Sequence, residues 1–185
     1  MSSESGSPAH RVAPLLRVRQ VREFTAAPVA TDALEAITDA ARWSGSSRNS
    51  QPWRFVMIQD QEVLRCIAAA GQPQTRALET ATAAVAIALV EEKGSAVSHA
   101  FDEGRAAERM LIAASLLGIG AGIAWVTSDT RPLVAELLGL FEGRFVRTII
   151  AIGHPTEAAR APKAARGQAR LPRSETVFAE RYGKR

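Results

Sequence analysis

Residues 40–55 read AARWSGSSRNSQPWRF, and the order of elements around this stretch decides the fold. Just before it, Asp32 and Glu35 stand three apart, the spacing of a capping box. Leu34, Ile37 and Ala41 then recur at helical intervals, which predicts a helix ending near Trp43. Residues 45–50 are small and polar, the composition of a surface turn. Residues 53–59, WRFVMIQ, are aromatic and aliphatic and predict a strand.

The same alternation continues outward in both directions. Residues 61–70 place Val63, Ile67 and Ala70 on one helical face. The run ATAAVAIALV at 81–90 suits a strand buried on both faces, although pattern alone also allows a buried helix. Residues 101–117 repeat Ala106, Met110, Ala113, Ala114 and Leu117 at three or four and, beyond Arg109, are apolar nearly all round, which predicts a central helix closed by Gly118, Gly120 and Gly122. A strand at 123–127 follows, then a helix capped by Asp129 or Thr130 with Pro132 in its first turn, then a strand at 145–152. Upstream, Val12, Leu15, Leu16 and Val18 predict a short helix within 10–22; downstream, 153–168 reads as an extended arm rich in Ala, Pro and Arg. There is no repeat and no second domain. Strands alternating with long helices give α/β or α+β, in one domain over 11–185 behind a flexible polar stretch at 1–10.

Composition narrows the function classes. With 46% hydrophobic residues in 185, the chain has enough apolar surface to fold as one globular unit. No apolar run reaches the length of a membrane span, and the first residues lack the apolar core of a secretory signal, so no membrane role is expected. A lone Cys66 excludes an internal disulfide and a cysteine zinc cluster and fits a cytoplasmic protein; it reads as a buried helix residue. From residue 158 on there are eight Lys or Arg against two acids, more than the whole net charge of +4, so the basicity belongs to a C-terminal arm. Aromatic residues are too sparse, at 5%, to support a nucleic-acid-binding module, and no reading motif is present.

Side-chain chemistry is thin. The three histidines, His10, His99 and His154, have no metal-ligand spacing, so no metal site is expected. The glycines at 118, 120 and 122 follow a helix and precede a strand, the reverse of a dinucleotide-binding loop. Nucleophile elbow, P-loop and paired-carboxylate patterns are all missing. Arginine clusters and small-residue loops remain, and they suit an anionic cofactor that performs the reaction itself.

Four collinear segments carry a resemblance. Residues 17–24, RVRQVREF, and 40–55 are similar to the nitroreductase-like flavoproteins, whose members run Arg-Arg-Ser-x-Arg-x-Phe and then Ala-Pro-Ser-x-x-Asn-x-Gln-Pro-Trp-x-Phe. Residues 104–125 resemble the family's buried helix and Gly-Leu-Gly-x-x-x-Trp loop, and 170–177, RLPRSETV, its C-terminal segment. The departures are Val18 for the first arginine, Gln20 for serine, Gly45 for proline and Gln168 for a lysine.

The resemblance implies an α+β fold with a mixed central sheet flanked by helices, in an intertwined homodimer that exchanges C-terminal arms. It implies FMN as cofactor and NAD(P)H as electron donor, with hydride passed in a ping-pong cycle to a small-molecule acceptor such as a nitroaromatic, quinone or activated alkene. A flavin-binding or flavin-sequestering protein with little turnover is the alternative. Carried over by position, Arg17, Arg19, Gln20 and Arg22 surround the phosphate and ribityl chain, and Arg170 joins them. Ser46, Ser47 and Asn49 approach from the partner, with Gln51 supporting their loop; Trp125, Val126 and Thr127 offer backbone contacts beside the ring. No side chain is assigned a catalytic role. The face of the 101–117 helix bearing Met110 is expected against the partner's equivalent helix, and Trp53 and Phe55 in the core. Arg19 and Arg22, three apart, share a face if helical, and Gly120, Gly122, Ser46 and Ser47 allow close approach to the ring.

Overall fold

The structure, a computed structural model, describes residues 6–90, 94–161 and 170–183. The sequence expectations on 1–5 and on 162–168 of the arm, Gln168 included, lie outside these residues; in the described part of the arm Gly153 ends a strand and Glu157–Arg160 is helical rather than extended. Helices α1 (Pro8–Val12), α2 (Thr31–Arg42), α3 (Gln61–Ala70), α4 (Ala96–Leu116), α5 (Arg131–Leu137), α6 (Glu157–Arg160) and α7 (Arg173–Thr176) surround four strands. The strands β1 (Arg54–Ile58), β2 (Ala83–Val90), β3 (Gly120–Trp125) and β4 (Arg144–Gly153) form one sheet in the order β1-β2-β4-β3. This is α+β. A mixed sheet was expected; among the described residues every strand pairing is antiparallel, because β4 inserts between β2 and β3, which run in the same direction.

The apolar run at 81–90 is a strand, and its residues explain the layers. Val85, Ile87 and Leu89 point to one face with α2 and α4, while Ala84, Ala86 and Ala88 point to the other with α3 and α5. Both faces are covered, so the run never needs a polar residue. Trp53 is buried and Phe55 partly so, as expected of core residues.

Several local expectations fail for physical reasons. Asp32 does not cap α2: Ala30 takes the cap position, and the Asp32 carboxylate accepts from the Ala33 N–H at 2.7 Å. Helix α4 begins at Ala96, and Met110 is fully buried in the protomer's own core with Ala106, Ala107 and Ala114. The face of α4 left outside instead carries Val97 and Phe101, with Leu116 near its end. Cys66 is exposed, because the buried positions of α3 are Leu64, Ile67 and Ala68.

The largest difference lies at 10–22. Helix α1 and a single 3₁₀ turn (Leu15–Arg17) use up the helical part; from Val18 the chain is extended. The cause is long-range. Strand β3 is an edge, and an open edge leaves backbone donors and acceptors unpaired. Val21 donates to the Ala121 carbonyl at 2.8 Å and Phe24 bridges to Pro155, so this segment covers that edge. Gly120 and Gly122 belong to β3 rather than to a helix end, and they make the cover possible. A Cβ on Gly122 would stand 2.1 Å from the Val21 carbonyl oxygen, and one on Gly120 would stand 3.1 Å from the Val21 side chain.

Candidate functional site

Extended backbone sends residues an odd number apart to opposite sides, so Arg19 and Arg22 do not share a face. They serve two cavities. Arg17 and Arg19 line a cavity of about 230 Å³ with Ser115, Gly118 and Arg160. Arg22 lines one of about 350 Å³ with Gln74, Arg76, Ile123 and Trp125.

The polar contacts of this segment are specific. Arg19 donates to the carbonyls of Arg160 and of Ala161, the latter at 3.2 Å, which ties α6 to the segment and leaves further guanidinium donors over. The Gln20 amide oxygen accepts from the Ile123 N–H at 3.2 Å and from Arg22 Nη2 at 3.1 Å. Gln20 is thus a cap on the β3 edge and a brace for Arg22. Next along that edge, Trp125 N–H donates to the Gln74 carbonyl at 3.3 Å, and Val126 N–H to the Arg147 carbonyl at 2.8 Å. Those two N–H groups are spent within the chain, so the backbone N–H contacts expected of 125 and 126 are not on offer to a ligand. Val126 is fully buried, whereas Trp125 is half-exposed beside the larger arginine cavity. Thr127 Oγ1 lies 3.2 Å from Thr130 Oγ1, and its hydrogen bond to Asp129 holds that carboxyl below the usual range. Gly120 and Gly122 are filled by Val21 and do not admit a ring, contrary to the sequence expectation.

The 46–51 loop forms a separate place. Ser46 and Ser47 line a cavity of about 570 Å³ with Val97, Phe101, Asp102 and Arg105. The buried Asp102 carboxylate accepts from the Ser47 N–H at 2.9 Å, and Ser46 Oγ accepts from Gln51 N–H at 2.9 Å. Gln51 Nε2 donates to Asn49 Oδ1 at 3.2 Å. Arg48, Asn49 and Gln51 all have positive φ, which costs energy in non-glycine residues and fits a loop held for a ligand. Arg170 is not among the residues lining these three cavities; it opens the 170–183 stretch, which is exposed except for a half-buried Phe178.

Within one protomer, then, the expected residues fall into two arginine cavities beside β3 and one serine loop against α4. Gln74 and Arg76 were missed; their only sequence signal is a Gly-Gln-Pro-Gln-Thr-Arg turn ahead of a strand. Asp102 was missed too, since a carboxylate inside an apolar helix gives no hint of the loop it holds.

Residues 17–86 match the Nitroreductase family pattern. An NADH dehydrogenase from Thermus thermophilus is 28% identical over 156 residues, which cover 79% of this chain and 75% of that protein. Among solved structures, an FMN-dependent nitroreductase from Clostridium difficile has a TM-score of 0.77 at 23% identity, covering 90% of this chain and 98% of its own. The NADPH:FMN oxidoreductase of Vibrio harveyi complexed with NAD+ has a TM-score of 0.77 at 24% identity, covering 94% of this chain and 78% of its own. The family match runs from the segment that covers β3 through the 46–51 loop into β2, and the fold is the one these solved structures share.

Proposed function

We propose that this chain is an FMN-dependent oxidoreductase that takes a hydride from NAD(P)H and delivers it to a small oxidised acceptor, a nitroaromatic, quinone or activated alkene, in alternating half-reactions. The observation that carries the reading is the pair of arginine cavities on either side of one extended segment, with Trp125 beside the larger. A phosphate dianion favours planar multidentate donors, and Arg17, Arg19 and Arg160 gather such donors in the smaller cavity. Arg22, Gln74 and Arg76 put two cations and an amide beside an aromatic wall, the donor set that a negatively charged heteroaromatic edge requires. The residues present fit the group. Of the relatives above, two are named for FMN and two for NADH or NADPH, which supports the reading.

When bound, FMN supplies the two-electron carrier, which accounts for a chain without an acid–base pair. The protein's own residues bind and orient. Arg22, braced by Gln20, presents a fixed cation; Arg17 and Arg19 hold the anionic end; Trp125 closes one side.

The reading includes a homodimer. Val97 and Phe101 are strongly exposed on α4, and Leu171, Val177 and Tyr182 are exposed in 170–183. Apolar groups left bare on a long helix and on an arm call for a cover, and a second copy supplies it. Ser46, Ser47 and Asn49 then reach the cofactor of the partner subunit, and Arg170 arrives with the exchanged arm.

The test is the absorbance spectrum of the purified protein after FMN loading and gel filtration, before and after anaerobic NADPH or NADH. A yellow protein bleached by reduced nicotinamide is the expected result, and Arg22→Ala with Arg76→Ala removes the colour while Arg181→Ala does not. A colourless wild-type protein overturns the proposal; a yellow protein that is never bleached leaves a flavin-sequestering protein instead.

A further inference from the structure

The sheet carries one irregularity, and it lies under Trp125. The β2–β4 register shifts between Ile87 and Ala88, whose partners are Thr148 and Val146, so Arg147 is an extra residue in β4. Such a bulge re-aims a side chain and interrupts pairing. The Arg147 carbonyl accepts the Val126 N–H at 2.8 Å, continuing the β3 pairing past Trp125. The Arg147 side chain turns to α4, where Nε donates to Glu103 Oε2 at 2.9 Å and Nη2 bonds the same oxygen. The pair is mostly shielded, with side-chain exposures of 19% for Arg147 and 4% for Glu103. The guanidinium carbon lies 5.7 Å from the Trp125 ring centroid and 6.0 Å from that of Phe145.

We propose that Arg147 is the positioning residue for the aromatic wall of the Arg22–Gln74–Arg76 cavity, holding Trp125 by its ring face and Val126 by its backbone, with Glu103 holding Arg147 in turn. A mostly buried ion pair is a poor source of stability, because desolvating both charges offsets most of their attraction. What it supplies is direction: a planar cation clamped from one side can stack on an indole in only one orientation. Glu103 Oε1 is buried without a partner, so the second carboxylate oxygen adds no stabilising bond. As far as it concerns the ligand, the proposal rests on the FMN reading.

The test compares Arg147→Lys and Arg147→Met with wild type, using protein labelled with 5-fluorotryptophan. Its three fluorine resonances, from Trp43, Trp53 and Trp125, are assigned with Trp125→Phe. Arg147→Lys keeps a cation for Glu103 and so keeps the fold, but it loses the guanidinium that lies over the Trp125 ring. The expected result in both variants is a shifted Trp125 resonance in flavin-free protein, with those of Trp43 and Trp53 in place. FMN binding, followed by quenching of flavin fluorescence, weakens roughly tenfold in Arg147→Met and less in Arg147→Lys. A Trp125 resonance that stays put in Arg147→Lys overturns the proposal, as does a shifted resonance with wild-type FMN affinity. A wild-type protein that binds no FMN removes the ligand half together with the function above, and the flavin-free spectrum still decides whether Arg147 sets Trp125.

Discussion

Adding one methyl group to Gly122 tests the arrangement on which the site depends. The new Cβ stands 2.1 Å from the Val21 carbonyl oxygen and 3.2 Å from its carbon, both backbone atoms that cannot rotate away. Ordinary contact begins near 3.4 Å, so the segment must retreat by about 1.3 Å. That retreat stretches the 2.8 Å bond from Val21 to Ala121 beyond hydrogen-bonding range and takes the 3.2 Å bond from Ile123 to Gln20 with it. Each of the two lost bonds costs about 1 kcal/mol and the overpacking about 1–3 kcal/mol, so Gly122→Ala is destabilising by roughly 3–5 kcal/mol. Urea denaturation followed by circular dichroism reads this as a lower midpoint at unchanged slope. Arg19 and Arg22 move with the segment, so FMN retention falls in the fraction that stays folded. Gly118→Ala is the comparison: it has φ +70 but open space around it, so only about 1 kcal/mol of backbone strain is expected. Gly122→Ala with stability within about 0.5 kcal/mol of wild type and unchanged FMN retention would refute the reasoning, since Val21 would then not lie where the β3 edge needs it.

Three further outcomes follow from single contacts. Gln20→Ser, the family's usual residue, is too short to reach both Ile123 and Arg22; a loss of about 1 kcal/mol in urea titration and several-fold weaker FMN binding are expected, and unchanged FMN binding would show that Arg22 needs no brace. Asp102→Asn turns a charge-assisted bond to the Ser47 N–H into a neutral one, with an expected loss of about 1–2 kcal/mol and faster amide hydrogen exchange at Ser47; exchange at the wild-type rate would count against it. Thr127→Val removes the hydroxyl that, first among the causes, keeps the Asp129 carboxyl low, so its NMR titration midpoint moves up toward that of an ordinary aspartate. Because the folded value is the depressed one, any stability it lends is present above the carboxylate range and is lost as the pH falls through the folded value.

The sequence by itself determined the elements whose signals are local. The helix carrying Met110 and the 53–59 strand are legible because local burial is written into their residues, while the 81–90 run is legible as a buried element and only its pairing with β1 and β4 makes it a strand. The motif residues at 17–24 and 46–51 were legible too, as residue types in order. What the tertiary structure alone decided is how they stand. Residues 18–24 have a helix-compatible pattern, yet they are extended because the β3 edge offers backbone partners that no local signal records. Once extended, Arg19 and Arg22 part company, Gln20 becomes a brace, and two glycines that resembled a helix stop become the bed for Val21. Gln74, Arg76, Asp102 and the Arg147–Glu103 pair were invisible for the same reason: each owes its place to a contact across the fold, and a contact between residues distant in sequence leaves no period and no spacing along the chain.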